Sequence, residues 1–372
     1  MKFTCNQQTL SKALNIVSKA VSSRTTIPIL KGILIEAKDN GTVRFAASDL
    51  DLSIEKIVEA EVYSEGSIVV SAKLFGDIIR KLPNSNINIE VRDGNIVYIN
   101  SLNSEFNVMG ISPDEFPSFG ETEEDAESVI FDKESFKEMV RKTAFSASID
   151  EAKGVITGVL IELEEDKTNM VALDGFRMAI TREETKNADK KKIIIAAKII
   201  NELSKIISDS DEEGNLEIVV GKKKAAAILP GTKVVMRLLE GEFIKYRDII
   251  PKESKIKVTV NRAELLNSIE RASLLAKEGK NNLVRIKLED DSLIISSRSE
   301  EGNVREEIGI KKDGDNLEIG FNSKYLQDVI KVIDDEEILM EFNSNVNPCL
   351  VRPVEGSNYE YLILPVRITS NF

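Results

Sequence analysis

The sequence predicts an α+β fold of three similar domains in tandem, and three observations predict it. One helical pattern is written three times, the segments between helices alternate as half-buried strands do, and the repeat period is close to the size of one domain. The pattern SAKLFGDIIRKL at residues 71–82 recurs as AAKIINELSKII from Ala196 and as NSKYLQDVIKVI from Asn322. Lys73, Lys198 and Lys324 fall in register at spacings of 125 and 126 residues. Apolar pairs follow each lysine (Leu74 and Phe75, Ile199 and Ile200, Tyr325 and Leu326), then Ile78, Leu203 and Val329, then Leu82, Ile207 and Ile333. Apolar residues at i, i+1, i+4 and i+8 draw one buried stripe along a helix. Arg80, Lys205 and Lys331 lie off that stripe, again in register.

A second helix type opens each repeat. Leu10, Leu14, Val17 and Val21 return as Phe136, Val140, Thr143 and Ala147, and again as Leu265, Ile269, Ala272 and Ala276. Asn6 or Thr9, Asp132 and Asn261 stand where an N-cap would accept the first free amides. The six helices are expected at 8–21, 72–82, 133–147, 197–207, 262–276 and 323–333. After each come alternating segments such as ILKGILIEAKD, VITGVLIELEED and NLVRIKLEDD, broken by DNG, EEDKTN and EDDS, which read as antiparallel strands and turns. INIEVRDGNIVYINS adds a hairpin with a DGN turn. Each half-domain is thus a strand, a helix and further strands, and the chain holds six. Prolines and acids interrupt the pattern near SPDEFPSFGETEEDAE and near FIKYRDIIPKESK, which sets domains at 1–120, 127–250 and 254–372.

Composition excludes several classes. Two cysteines, Cys5 and Cys349, suggest neither a disulfide framework nor a zinc cluster, and point to a reducing, cytoplasmic setting. The start MKFTCNQQTL lacks the apolar core of a signal peptide, and no apolar run approaches a membrane span. There is no histidine, so the commonest general base and metal ligand are both missing. GKKKA at Gly221 lacks the earlier glycine of a phosphate loop, and no GxGxxG occurs. No catalytic constellation, metal site or cofactor is expected.

Charge is segregated by element. The formal net charge is −13, yet the six helix spans carry fifteen basic against seven acidic side chains. Lysine and arginine on solvated helix faces would account for single positions. Glutamate favours helices equally and is not enriched there, so the helices together read as a positive surface that meets phosphates without reading sequence.

The chain resembles the bacterial β sliding clamp family, the processivity subunits of the replicative DNA polymerase III, along its whole length. The resemblance rests on MKF at the start, TIPIL (26–30), ALDGFRMA (172–179), LEGEFIKYRDIIP (239–251) and YLILPVRI (361–368), in this order over a threefold repeat. It implies the DNA clamp fold: three domains, each with two helices facing inward and antiparallel sheets outward, in a ring-forming homodimer around double-stranded DNA. It implies a non-catalytic processivity factor of DNA replication, without cofactor, acting in the cytoplasm at the nucleoid. The implied partners are the polymerase III catalytic subunit, the clamp loader, and other polymerases and repair proteins that carry a clamp-binding peptide.

The same resemblance implies the site residues. A peptide pocket between the second and third domains would be walled by Ile156, Leu173, Gly175, Phe176, Arg177, Met178, Ile244, Ile249, Pro348, Leu362, Leu364, Pro365, Val366 and Arg367. Strand-end core packing is the alternative for Leu362 and Leu364, whereas Pro365 and Arg367 suit a core less well. Many relatives have histidine at Phe176 and threonine at Leu173, so this pocket is the more apolar. Arg24, Arg80, Lys198 and Lys205 would contact DNA. Phe106 and Val108 on one edge, with Leu274 and Leu275 on the other, would form the dimer interface, or else pack as core.

Two other classes compete. Asp49 and Asp174 recur 125 residues apart, as carboxylates of an enzyme would, but turn formation explains both and the third repeat has SSRSEE there. An acidic scaffold without a DNA role explains the repeat and leaves the positive helices unexplained.

Overall fold

Each repeat consists of two modules of strand, helix and three strands, so the alternation seen in the sequence is the alternation of the chain. The computed structural model describes residues 1–22, 25–119, 127–185, 190–209 and 214–368. The first repeat runs β1 (Lys2–Asn6), α1 (Gln7–Val17), β2 (Gly32–Lys38), β3 (Thr42–Ser48) and β4 (Leu52–Glu59), which continues past Ala60 as β5 (Glu61–Ser64). Its second module is β6 (Gly66–Ser71), α2 (Ala72–Lys81), β7 (Asn86–Arg92), β8 (Ile96–Ser101) and β9 (Ser104–Ile111). The second repeat is β10 (Glu127–Asp132), α3 (Lys133–Thr143), β11 (Gly158–Leu163), β12 (Lys167–Leu173) and β13 (Arg177–Glu184), then β14 (Lys191–Ala196), α4 (Ala197–Ser208), β15 (Asn215–Val220), β16 (Lys224–Leu229) and β17 (Thr232–Arg237). The third is β18 (Ile256–Asn261), α5 (Arg262–Ala276), β19 (Leu283–Leu288), β20 (Ser292–Ser299) and β21 (Gly302–Asp313), then β22 (Leu317–Asn322), α6 (Ser323–Lys331), β23 (Glu337–Phe342), β24 (Cys349–Pro353) and β25 (Tyr359–Ile363).

Helix ends explain the small differences from expectation. α5 has the expected bounds, while the expected 8–21 and 133–147 close in 3₁₀ turns at Ser18–Ala20 and Ala144–Ser146. Tightening the last turn satisfies carbonyls that an α-helix would leave open. Asn6, Asn261 and Asn322 are the N-caps, accepting from the amides of Gln8, Glu264 and Lys324. The first helix type buries its stripe in all three repeats: Leu10, Leu14 and Val17, then Phe136, Val140 and Thr143, then Leu265, Ile269 and Ala272. The second type departs from expectation at one position. Leu74 is 51% exposed while Phe75 is buried, because the stripe centred on Phe75, Ile78 and Ile79 leaves Leu74 on its flank.

By packing, the chain divides into two compact units, Met1–Lys133 with Glu202–Leu238, and Glu134–Asn201 with Leu239–Phe372. The division passes through the middle repeat, and backbone pairing is the reason. In the first unit β17 pairs with β4, from Thr232 opposite Lys56 to Met236 opposite Leu52, so β10 and β15–β17 join the first repeat in one 13-stranded sheet. In the second unit β13 pairs with β25, from Arg177 opposite Ile363 to Thr181 opposite Tyr359, so β11–β14 join the third repeat in one 12-stranded sheet. Every strand pair within these two sheets is antiparallel. In the first unit α1 packs on α2, β3 and β4, and in the second α5 packs on α6 and on β19–β21. Cys5 and Cys349 are buried and unpaired.

Candidate functional site

The predicted pocket residues lie in the second unit and begin at the turn between β12 and β13. Asp174 Oδ1 accepts from the amides of Phe176 (2.8 Å) and Arg177 (3.0 Å), closing the turn on itself. Gly175 sits at φ +95°, where a side chain is strained. Its counterpart Leu50 carries that strain at φ +79°, held by the same device: Asp49 Oδ1 accepts from the amides of Asp51 and Leu52. Both repeated aspartates therefore close turns. The turn at Asp174 sends Phe176 outward, 52% exposed, and Arg177 inward, 8% exposed.

Arg177 is engaged through all three of its side-chain nitrogens. It donates Nε to Asp174 Oδ2 at 3.2 Å, Nη1 to Asp328 Oδ2 at 2.5 Å and Nη2 to the Phe145 carbonyl at 3.0 Å. Its guanidinium also lies over the rings of Phe145 (5.3 Å) and Tyr325 (4.7 Å). Tyr325 in turn stacks on Phe176 at 5.9 Å and 19°, and Lys153 stands over Phe176 at 5.8 Å. Burial, and next the charge of Asp174, push the Tyr325 phenol up from its ordinary value. Sequence reasoning cast Arg177 as a pocket wall; the structure makes it the support of the aromatic pair Phe176 and Tyr325.

Leu173, Met178 and Leu362 belong to one buried cluster with Leu160, Val171 and Tyr246, and Ile156 packs against it. The core reading holds for Leu362, which faces Met178 and Leu350 on the paired strands. Leu364 is exposed instead, and its amide donates to the Phe176 carbonyl at 2.9 Å. Ile244 and Ile249 are exposed too, while Pro348, Pro365 and Val366 are half-buried and Arg367 is exposed. Val366 bridges to Gly320, where a Cβ would stand 2.7 Å from the Val366 carbonyl, so glycine is what lets the backbone at Val366 lie against β22. The cluster is buried and packed by Val155, Ile156, Leu239, Phe243 and Ile250, while Phe176, Ile244, Ile249 and Leu364 leave apolar side chains exposed.

Sequence reasoning missed the residues that hold this arrangement: Asp328, Tyr325, Lys153, and Glu162 with Tyr246 and Arg247. Asp328 could have been found from register, because it falls 126 residues after Glu202 and 251 after Asp77. Nothing in the sequence marks Glu162, which is one acid among many.

The helix bases behave in two ways. Arg80 is exposed and paired with Asp77, and Lys205 is exposed and paired with Glu202 at 2.8 Å. Lys73, Lys198 and Lys324 are exposed and form no ion pair among the described residues. Arg24 lies outside the described residues. Of the predicted interface residues, Phe106 is exposed and Val108 half-buried on β9, and on α5 Leu274 is 66% exposed and Leu275 half-buried. Residues 104–109 of β9 pair only with β8, and residues 302–309 of β21 only with β20, so each strand has an open backbone edge among the described residues.

The chain matches three family models in succession: the N-terminal domain of the DNA polymerase III beta subunit at residues 1–120, its central domain at 131–245 and its C-terminal domain at 247–367. It is 36% identical to the beta sliding clamp of Bacillus subtilis over 380 residues, covering 99% of this chain and 100% of that one. It is 34% identical to the beta sliding clamp of Staphylococcus epidermidis over 378 residues, covering 99% of each. The crystal structure of the Bacillus subtilis DNA polymerase sliding clamp superposes with a TM-score of 0.95 at 35% identity, over 99% of this chain and 100% of that chain. Fold and matches together define the class, a sliding clamp of DNA replication. The chain belongs to the bacterial DNA polymerase III beta subunit family.

Proposed function

We propose that two copies of this chain close head to tail into a ring around duplex DNA and tether the replicative polymerase to it. The observation that carries this reading is the repeated joint between repeats. In β4 with β17, and in β13 with β25, the last strand of a first module pairs with the last strand of the following repeat's second module. The two strands left over are β21 and β9, each with an open edge. We place a third joint of the same kind between the third repeat of one chain and the first repeat of another, and two such joints close a ring. Phe106 and Val108 on β9, with Leu274 and Leu275 on α5, supply apolar surface to that joint. The domains in this reading are 1–120, 127–250 and 254–372.

No chemistry is required of the ring. Arg80, Lys198 and Lys205, with Arg24, meet phosphates weakly and without reading bases, which permits sliding. Partners dock a short peptide at the cluster framed by Phe176, Ile244, Ile249 and Leu364, where each apolar side chain buried contributes roughly 1.5–3 kcal/mol. The catalytic subunit of polymerase III, the clamp loader and repair proteins are the expected peptide carriers, and the site of action is the nucleoid in the cytoplasm.

The test is retention on DNA. The protein is loaded with a matching clamp loader and ATP onto nicked circular DNA, the complex is isolated, and the DNA is then cut. Retention on the circle with loss after cutting is the expected result. Equal retention before and after cutting would mean contact binding and would end the ring reading.

A further inference from the structure

We propose that Glu162 is the positioning residue of the partner site: its buried carboxylate ties down the segment that presents Ile244 and Ile249. The inference rests on the partner-site reading above. Glu162 lies within β11, 2% exposed, and accepts from Tyr246 Oη at 2.7 Å, from Arg247 at 3.1 and 2.5 Å, and from Lys192 Nζ at 2.8 Å. Asn169 reaches the same carboxylate at 3.4 Å. Tyr246 and Arg247 are the middle of the segment, and Ile244 and Ile249 flank them with their side chains exposed. Because only one or two residues separate each isoleucine from the anchor, any freedom at the anchor becomes freedom at the site.

The first repeat supplies an internal control. Its own outgoing segment carries Phe116 and Phe119, each 127 residues before Phe243 and Tyr246. Those rings dock on Ile29, Leu30, Leu34, Ala46 and Val69, the register counterparts of Val155, Ile156, Leu160, Val171 and Ile194. Glu36 stands where Glu162 does, 126 residues earlier. There the charge is closed among the strands, Arg44 pairing with Glu36 at 3.4 Å and Glu55 at 2.8 Å, and the segment is held by apolar contact and by Arg44 over Phe119 at 5.1 Å. In the second repeat Asn169 replaces Arg44, and the cations come from Lys192 on β14 and from Arg247 on the segment itself. The same docking has been rewired so that charge fastens the one segment that also carries the site's exposed isoleucines. Burial pushes the Glu162 carboxyl up, but hydrogen bonds from Arg247, Lys192 and Tyr246 outweigh it and hold the group down to about 2, so the tie is fully charged at neutral pH.

The test uses the full chain as wild type, Glu162→Gln and Tyr246→Phe. A fluorescent peptide from the clamp-binding segment of the same organism's polymerase III catalytic subunit is titrated by anisotropy, and amide exchange is followed at residues 243–250 and across β12. Affinity should scale with the docked fraction of the segment, so Glu162→Gln is expected to weaken the peptide about tenfold and Tyr246→Phe about threefold. Protection at Tyr246 and Asp248 should fall in the same order while β12 keeps its protection. Unchanged affinity with lost protection would overturn the inference, as would weakened affinity with the segment still protected. Lost protection across β12 would overturn it too, because Glu162 would then act through general stability. A peptide that fails to bind the wild type would overturn the partner-site reading itself, and this inference with it.

Discussion

The Arg177 guanidinium donates to the Asp328 carboxylate at 2.5 Å across 151 residues of chain, and this contact breaks the repeat's own rule. Asp77, Glu202 and Asp328 are in register, as are Arg80, Lys205 and Lys331. In α2 and α4 the acid pairs with the base three residues on, a surface contact between exposed or partly exposed groups. In α6 the acid is taken by Arg177, and Lys331 turns to Glu270 on α5 at 2.9 Å. A surface pair has become a half-buried support beneath the Phe176 and Tyr325 rings.

Removing the same acid should therefore have unequal effects. Asp77→Ala breaks an exposed helix pair and should cost less than about 0.5 kcal/mol. Asp328→Ala leaves a buried guanidinium short of a partner and should cost about 1–3 kcal/mol, the lower end reflecting the solvent that still reaches Asp328 and the bonds Arg177 keeps to Asp174 and Phe145. Urea denaturation of both variants decides the point, and equal losses would refute the supporting role.

Glu162 should make part of the stability depend on pH. Its folded-state value of about 2 lies below its ordinary 4.5, so its contribution is fully present above about pH 5 and is lost as pH falls from 4.5 toward 2. The full contribution is about 3 kcal/mol at the exchange rate of roughly 1.4 kcal/mol per unit of pKa. Stability of wild type and Glu162→Gln, measured by urea from about pH 7 down to about pH 3, should converge as acid is added. A constant gap would show that the carboxylate is not held in its charged form.

On the proposed ring, Phe106→Glu and Leu274→Glu should each weaken the joint between copies without unfolding the chain, because both side chains are exposed in the single chain. Placing a charge in the apolar part of a joint costs about 1–3 kcal/mol, so the dissociation constant should rise roughly five- to 150-fold per substitution. Sedimentation velocity across a concentration series measures it. A dimer that keeps its wild-type constant in both variants would place the interface elsewhere.

Much of the fold was legible in the sequence because helices and strands are written by local period, and the period was repeated. The stripe through Leu10, Leu14 and Val17 survives twice with only its side chains changed, so the burial pattern follows. Phe176, Ile244, Ile249 and Leu364 came from the family resemblance and not from period or register, and the structure leaves all four side chains exposed. What sequence could not give was pairing at long range. Arg177 reads as a free cation until Asp328 is brought to it by the pairing of β13 with β25. The two compact units were hidden for the same reason, because they follow backbone ladders between strands far apart in the chain.

The three unpaired lysines should show that function outranks stability at the starts of α2, α4 and α6. Lys73, Lys198 and Lys324 are the second residue of their helices, where the positive end of the helix dipole disfavours a cation. Those three helices have no acid in the first turn, whereas α3 and α5 carry Glu134 and Glu264 there. A position that opposes the dipole three times in register needs a benefit outside the folded chain, and phosphate contact on the proposed ring would provide one. The triple change to Gln should raise stability by about 1–3 kcal/mol in urea, at roughly 0.3–1 kcal/mol per site. It should also flatten the salt dependence of duplex DNA binding, lowering the slope of log K against log salt by about 2 to 3 per chain. Stability that falls, or a slope that does not move, would assign the lysines to structure and leave the proposed phosphate contacts to Arg24, Arg80 and Lys205.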